Sequence, residues 1–138
     1  MTLELELIHN IRSAGDTIRS LYEGRGSQKN ILMTLLKRGS MSQRDLTEGL
    51  EIKPGSASEV LGKLEEAGLL ARTISKSDRR TFILELTEEG RKRAEEYRKA
   101  REERHRRMFS CLSVKEKEEL SELLSKLNCH LDSDFKGP

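Results

Sequence analysis

Residues 41–86 read MSQRDLTEGLEIKPGSASEVLGKLEEAGLLARTISKSDRRTFILEL, and the reading of this stretch decides the fold. A helix start, a short turn, a second helix and a charged hairpin follow one another with almost no spare residues. The first helix is expected to begin at Ser42, whose hydroxyl can cap the free amides of the first turn, while Asp45 sits near the positive helix end. Leu46 and Leu50 then lie one turn apart on its buried side. Pro54 announces the second helix, because its fixed φ suits a first helical position and its missing amide proton would have no partner there. This helix is expected over residues 54 to about 67. Ala57, Val60, Leu61 and Leu64 recur within it at helical spacing as a core stripe, and Gly55, Ser56, Glu59, Gly62, Lys63 and Glu66 fall on the opposite face.

Any solvated helix shows a polar face, so the composition of this one matters. A mid-helix glycine costs about 1 kcal/mol relative to alanine, and Gly62 on the exposed side is best explained by close approach of another backbone. The small residues Gly55 and Ser56, with Ser58 at the edge, leave room for the helix to enter a duplex major groove end first, its free amides near phosphate. The hairpin points the same way. Residues 69–74 and 81–86 are strand-like, the second run expected to turn Phe82, Leu84 and Leu86 inward and Thr81, Ile83 and Glu85 outward. Between them Ser75, Lys76, Ser77, Asp78, Arg79 and Arg80 form a wholly polar loop with three cations and one anion. Such a loop beside a reading helix can insert into a minor groove, whose negative potential attracts arginine, with Asp78 expected to brace it by pairing with an arginine. An ordinary exposed turn is the alternative.

The order of elements, the segment PGSASEVLGKLEEAGLLAR at 54–72, the wing SDRRTF at 77–82 and the following LTEEG at 86–90 resemble the MarR family of winged helix-turn-helix regulators. The family's D-x-R wing motif matches Asp78 and Arg80, and the similarity covers residues 28–93, with the flanking helices fitting by pattern. The resemblance implies a homodimeric transcription factor, usually a repressor, that binds a pseudo-palindromic double-stranded DNA operator and is often released by a small-molecule effector or by cysteine oxidation. One departure is that the tight turn between the two helices usually carries glycine where this chain has Glu51, with Gly49 two residues earlier. A non-glycine residue there needs a left-handed conformation at a cost of about 1 kcal/mol, which affects the aim of the second helix.

The expected DNA contacts fall in three groups. Ser42, Gln43 and Arg44 stand at the start of the first helix; Pro54, Gly55, Ser56, Ser58, Glu59 and Lys63 belong to the second; Lys76, Asp78, Arg79 and Arg80 belong to the wing. Arg25 and Gln28, at the start of an earlier helix, are candidates for phosphate contacts and equally well read as plain loop residues.

Composition sets the outer limits. The 138 residues make one domain, or one small domain with extensions. Hydrophobic content of 34% against 36% charged residues suits a helical, salt-bridge-laced protein better than an enzyme with a large apolar pocket. With no tryptophan and 4% aromatic residues, a stacking platform for single-stranded nucleic acid is disfavoured. Net charge is only +2, so DNA affinity must come from uneven charge distribution. Two cysteines, no secretory signal and no long apolar run lead to the expectation of a soluble cytoplasmic protein with no membrane association.

The flanks read as helices. Leu3, Leu7, Ile11, Ala14, Ile18 and Leu21 are spaced for an amphipathic helix, although Leu3, Leu5 and Leu7 alternating with glutamates leave a strand open for the first residues. Ser27 can cap a helix in which Ile31, Leu32, Leu35 and Leu36 face inward until Gly39. Thr87 is a good N-cap for a long polar helix running to about residue 110 and held by pairs such as Glu95 with Lys99, Glu102 with Arg106 and Glu103 with Arg107. Its arginines can form a second DNA patch, but interleaved glutamates favour a solvated bridging helix. Ser113 and Glu116 make a capping box for a last helix whose Leu120, Leu123, Leu124, Leu127 and Leu131 form a stripe in need of cover. The N-terminal helix of the same or a second subunit is the expected cover, and residues 132–138 are expected to fray.

No glycine-rich phosphate loop, paired zinc-ligand motif or nucleophile elbow occurs, so an enzyme reading has no motif to stand on. His9, His105, Cys111, Cys129 and His130 lack the usual metal-ligand spacings, and neither cofactor nor metal is expected. A metal- or redox-sensing regulator of the same fold and a winged-helix protein-interaction module remain as alternatives. The expected architecture is mainly α with a small β-hairpin wing. It comprises an N-terminal dimerisation helix and loop at 1–26, a winged helix-turn-helix domain at 27–90, and a bridging helix with a C-terminal dimerisation helix at 91–138.

Overall fold

The computed structural model describes residues 1–135, and residues 136–138 of the expected frayed tail lie outside the described residues. The chain divides into two units, Met1–Arg98 and Lys99–Pro138. Elements run α1 (Leu3–Leu21), α2 (Gln28–Arg38), β1 (Met41–Ser42), α3 (Gln43–Gly49), α4 (Pro54–Glu66), β2 (Leu70–Ile74), β3 (Phe82–Leu86), α5 (Glu88–Met108) and α6 (Val114–Asp134).

Local hydrogen bonding places most helix starts. The hydroxyls of Thr2, Ser27 and Ser42 accept from the amides of Leu5, Asn30 and Asp45, starting α1, α2 and α3. The strand alternative for the first residues therefore loses to helix. At the end of α3, Glu51 takes φ 54°, the left-handed conformation expected there. Its N–H donates to the Glu48 carbonyl at 3.2 Å, and that of Ile52 to the Thr47 carbonyl at 3.0 Å. These are the two bonds of a Schellman closure, formed around glutamate at about 1 kcal/mol of backbone cost. Gly68 (φ +74°) closes α4 in the same way, with Leu69 donating to Leu64 and Gly68 to Glu65.

In the first unit the core is aliphatic. Ile31, Leu32 and Leu35 from α2 meet Leu46 of α3, Leu61 and Leu64 of α4, Leu70 of β2, Leu84 of β3 and Ala94 of α5. Most of these side chains are fully buried, each worth about 1.5–3 kcal/mol of transfer free energy. The sheet is three-stranded in the order β1-β3-β2, so the expected two-stranded hairpin gains a third strand. Met41 pairs with Leu84 and Ser42 with Ile83, which makes Ser42 both strand and helix cap. Central placement of β3 changes its faces: Leu84 is wholly buried, Ile83 is half-buried rather than outward, and Phe82, expected inward, is 41% exposed.

The junction between β3 and α5 is tight. Thr87 caps α5 by accepting from the Gly90 amide at 3.0 Å, while its hydroxyl donates to the Gly68 carbonyl at 2.6 Å. Gly90 lies so close to the residue that precedes β2 that a Cβ there would sit 1.9 Å from the Leu69 carbonyl oxygen. Farther along, Tyr97 packs on the core and takes the Lys29 ammonium 5.3 Å from its ring centroid. Tyr97 also raises the Arg93 pKa, chiefly through their hydrogen bond.

The second unit contains the end of α5 and α6. Ser113 and Glu116 form the expected capping box, and the Ser113 backbone N–H, then its hydroxyl, hold the Glu116 carboxyl below the usual range. That contribution is present above the ordinary glutamate pKa and is lost as pH falls through the lowered value. Two ion pairs on α5 form one residue nearer than expected, Glu95 with Arg98 in the first unit and Glu103 with Arg106 in the second. Residues 132–134, expected to fray, are helical to the cap at Phe135.

Gly90→Ala is expected to destabilise the chain by about 1–3 kcal/mol or more, because the methyl group meets backbone that has no rotamer to change. Urea unfolding followed by circular dichroism measures it; unchanged stability would mean that α5 does not start against the Leu69 backbone as described.

Candidate nucleic-acid interface

Helix α4 begins without a side-chain cap. Its N-cap residue Lys53 makes no such bond, and Pro54 fills the first turn, so the amides that follow have no capping partner. Gly55 and Gly62 both face open space, with nothing within 4 Å of where a Cβ would sit. Ala57, Leu61 and Leu64 bury the other side, Val60 is half-buried, and Ser56, Ser58, Glu59 and Lys63 are exposed. The division of faces therefore follows the spacing of the sequence.

Helices α3 and α4 and the wing enclose a groove of about 630 Å³. Six of the expected contact residues line it: Gln43, Arg44, Pro54, Ser58, Asp78 and Arg80, together with Thr47, Glu48, Thr81 and Phe82. Gly55, Ser56, Glu59, Lys63, Lys76 and Arg79 lie outside its lining, as do Ser42, Arg25 and Gln28. Ser42 is spent on capping α3. Arg25 is paired with Glu51 across the turn that closes α3, so it braces the helix-turn-helix. Gln28 is exposed at the start of α2.

The wing loop is built from its own polar groups. The Asp78 carboxylate accepts the Arg80 backbone N–H at 3.0 Å and the Thr81 hydroxyl at 3.4 Å. Asp78 thus braces the loop through backbone and hydroxyl rather than through an arginine side chain, as an Asx turn does. Ser75, expected in an exposed loop, is buried, its N–H donating to the Thr81 carbonyl and its hydroxyl accepting from the Asp78 N–H. This bracing leaves the cationic side chains outward.

Cations around the groove divide into two sets. Arg44 pairs with Glu48 at 3.1 Å, whose hydrogen bond and charge raise the arginine pKa further, and Lys63 pairs with Glu59 at 3.6 Å. Arg72, which the spacing of the sequence did not single out, pairs with Glu65. Lys76, Arg79 and Arg80 have no carboxylate partner among the described residues and are exposed. The wing therefore offers three unpaired cations to an external polyanion, despite a net charge of only +2. No group of three His, Cys, Asp or Glu side chains among the described residues can hold a metal ion, and Cys111 and Cys129 are exposed free thiols.

The MarR family model matches residues 27–82. The helix-turn-helix transcriptional regulator PecS of Dickeya dadantii (strain 3937) is 32% identical over 124 residues, 88% of this chain and 75% of PecS. The chain belongs to the MarR family. Among its MarR relatives, the helix-turn-helix transcriptional repressor MdtR of Bacillus subtilis (strain 168) is 28% identical over 134 residues, 97% of this chain and 81% of MdtR. The crystal structure of the YusO protein from Bacillus subtilis superposes with a TM-score of 0.66 at 29% identity, covering 91% of this chain and 92% of YusO. This MarR-family chain is a DNA-binding transcriptional regulator and not an enzyme. The expected winged helix-turn-helix fold is the one it adopts.

Arg80 and Asp78 are expected to fail differently. Arg80→Ala should weaken binding to many duplexes and reduce the slope of log affinity against log salt by about one unit, since one cationic contact is removed. Asp78→Ala should leave that slope near the wild-type value while loosening the wing. Fluorescence anisotropy titrations across a salt series compare them, and an Arg80→Ala chain with full affinity and full slope would make the wing an ordinary solvated turn.

Proposed function

We propose that this regulator binds a pseudo-palindromic double-stranded operator as a homodimer and represses transcription until a small-molecule effector releases it. The uncapped start of α4, opening on the same groove as Arg80 of the wing, is the observation that carries the reading. Free helical amides and a small polar face suit a major groove, and an outward arginine suits the neighbouring minor groove. Within this reading Gly55, Ser56, Ser58, Glu59 and Lys63 approach base edges and phosphates from α4, while Gln43 and Arg44 approach from α3. Lys76, Arg79 and Arg80 supply backbone charge, and Asp78 keeps the wing in shape. Gln28 is a phosphate contact, and Ser42, Pro54 and Arg25 shape the elements that make the other contacts.

Apolar surface supports the homodimer. Leu120, Leu123, Leu124, Leu127 and Leu131 of α6 are all exposed in the single chain, Leu123 by 65%, and α1 buries no residue while showing Leu3, Leu7 and Ile11. Stripes of this length on a soluble monomer mark an interaction surface, and a second copy is the partner that a two-fold operator requires. No described helix is long and apolar enough to cross a membrane, and action on chromosomal DNA puts the regulator in the cytoplasm.

Changing Leu123 and Leu127 together to glutamate should convert a dimer into a monomer by sedimentation. The same change should lower affinity for the duplex upstream of its own gene about 100-fold or more, because paired half-sites about 34 Å apart are no longer engaged together. A wild-type chain that is monomeric at micromolar concentration would contradict the assembly, and a wild-type chain that fails to shift this or any selected duplex would contradict DNA binding.

A further inference from the structure

Arg72 stands on β2 with its side chain only 21% exposed. Its guanidinium meets three other elements. Nη1 donates to Gln43 Oε1 at 3.2 Å at the start of α3, and Nη2 donates to Glu65 Oε1 at 3.3 Å near the end of α4. The guanidinium carbon lies 5.0 Å from the centroid of the Phe82 ring on β3. Strand register makes the ring contact possible: Arg72 faces Leu84 and Ile74 faces Phe82, so arginine and phenylalanine are diagonal neighbours across the β2–β3 pair. Gln43 and Phe82 also line the groove.

These contacts explain why an aromatic ring stays at the wing base partly exposed, and why Gln43 is half-buried at a helix start. A planar fork satisfies an amide, a carboxylate and a ring face at once; a lysine ammonium, a compact point charge, does not. Because Glu65 already compensates its charge, Arg72 is poorly suited to a phosphate contact, unlike Arg80. We propose that Arg72 is a positioning residue that fixes α3, α4 and the wing in one relative arrangement, so that operator is distinguished from other DNA, without itself touching the duplex. The assignment rests on the DNA-reading function proposed above.

The test uses the full-length chain, a duplex that the wild type enriches from a random library, and a scrambled duplex of the same composition. Arg72→Gln is expected to reduce the ratio of selected to scrambled affinity about tenfold while leaving the salt slope unchanged. Arg72→Lys should fail to the same degree, because retained charge does not rebuild the three contacts. Glu65→Gln, which removes only the α4 anchor, should reduce the ratio less, by about threefold, and serves as the deciding variant if Arg72→Gln does not fold. In Glu65→Gln, which retains Arg72, a reduced ring-current shift of the Arg72 side-chain protons by NMR should accompany the loss of discrimination. An unchanged ratio, restoration by lysine, or a uniform loss with the salt slope reduced by one would each overturn the positioning role. A wild-type chain that enriches no duplex overturns the DNA reading, and this assignment with it.

Discussion

The break between Gly49 and Pro54 sets the direction of α4, and the rest of the winged helix is arranged around that direction. Its closure asks Glu51 to adopt a left-handed conformation that glycine would adopt without strain. In return the carbonyls of Thr47 and Glu48, which a helix end leaves unpaired, are satisfied by the amides of Ile52 and Glu51. Glutamate also offers what glycine lacks, a carboxylate that Arg25 can hold from the segment before α2. The pair is solvent-exposed and contributes little stability.

Downstream of that turn, position is transmitted by packing rather than by charge. Leu61 and Leu64 seat α4 on α2 and on the sheet, and Leu84 at the centre of β3 joins them from the other side. Gly90 lets the start of α5 touch the backbone of Leu69, which ties the strand leaving α4 to the long helix. Exposed ion pairs decorate this frame. Arg72 is the exception, since its low exposure and three contacts make it part of the frame.

What was legible in the sequence was local. Ser27, Ser42 and Ser113 could be read as caps because each needs only an amide three residues ahead, and Pro54 marks a helix start by its own geometry. The stripe of Ala57, Leu61 and Leu64 follows from helical period alone. The strain at Glu51 was visible only because the MarR resemblance indicated where glycine usually stands. Non-local features were not legible. The pairing of Met41 with Leu84 involves a strand of two residues, too short to show alternation. That third strand, with the arginine across the pair, is what changes the surroundings of Ile83 and Phe82. Gly90 resembles any helical glycine until the Leu69 carbonyl is placed beside it. Arg72 was one arginine among many, and the choice of Arg98 over Lys99 by Glu95 turns on rotamers that spacing does not encode. Among the expected DNA contacts, a shared groove gathers Gln43, Arg44, Pro54, Ser58, Asp78 and Arg80, whereas Arg25 is diverted to the turn.

The central claim is that α4 reads a major groove while the wing enters the minor groove beside it. Methylation interference tests this most directly, because dimethyl sulfate marks guanine N7 in the major groove and adenine N3 in the minor groove of the same duplex. On a duplex selected by the wild-type chain, the account predicts two blocks of guanine N7 interference about one helical turn apart, each flanked outward by adenine N3 interference. Binding indifferent to N7 methylation throughout the site would contradict it.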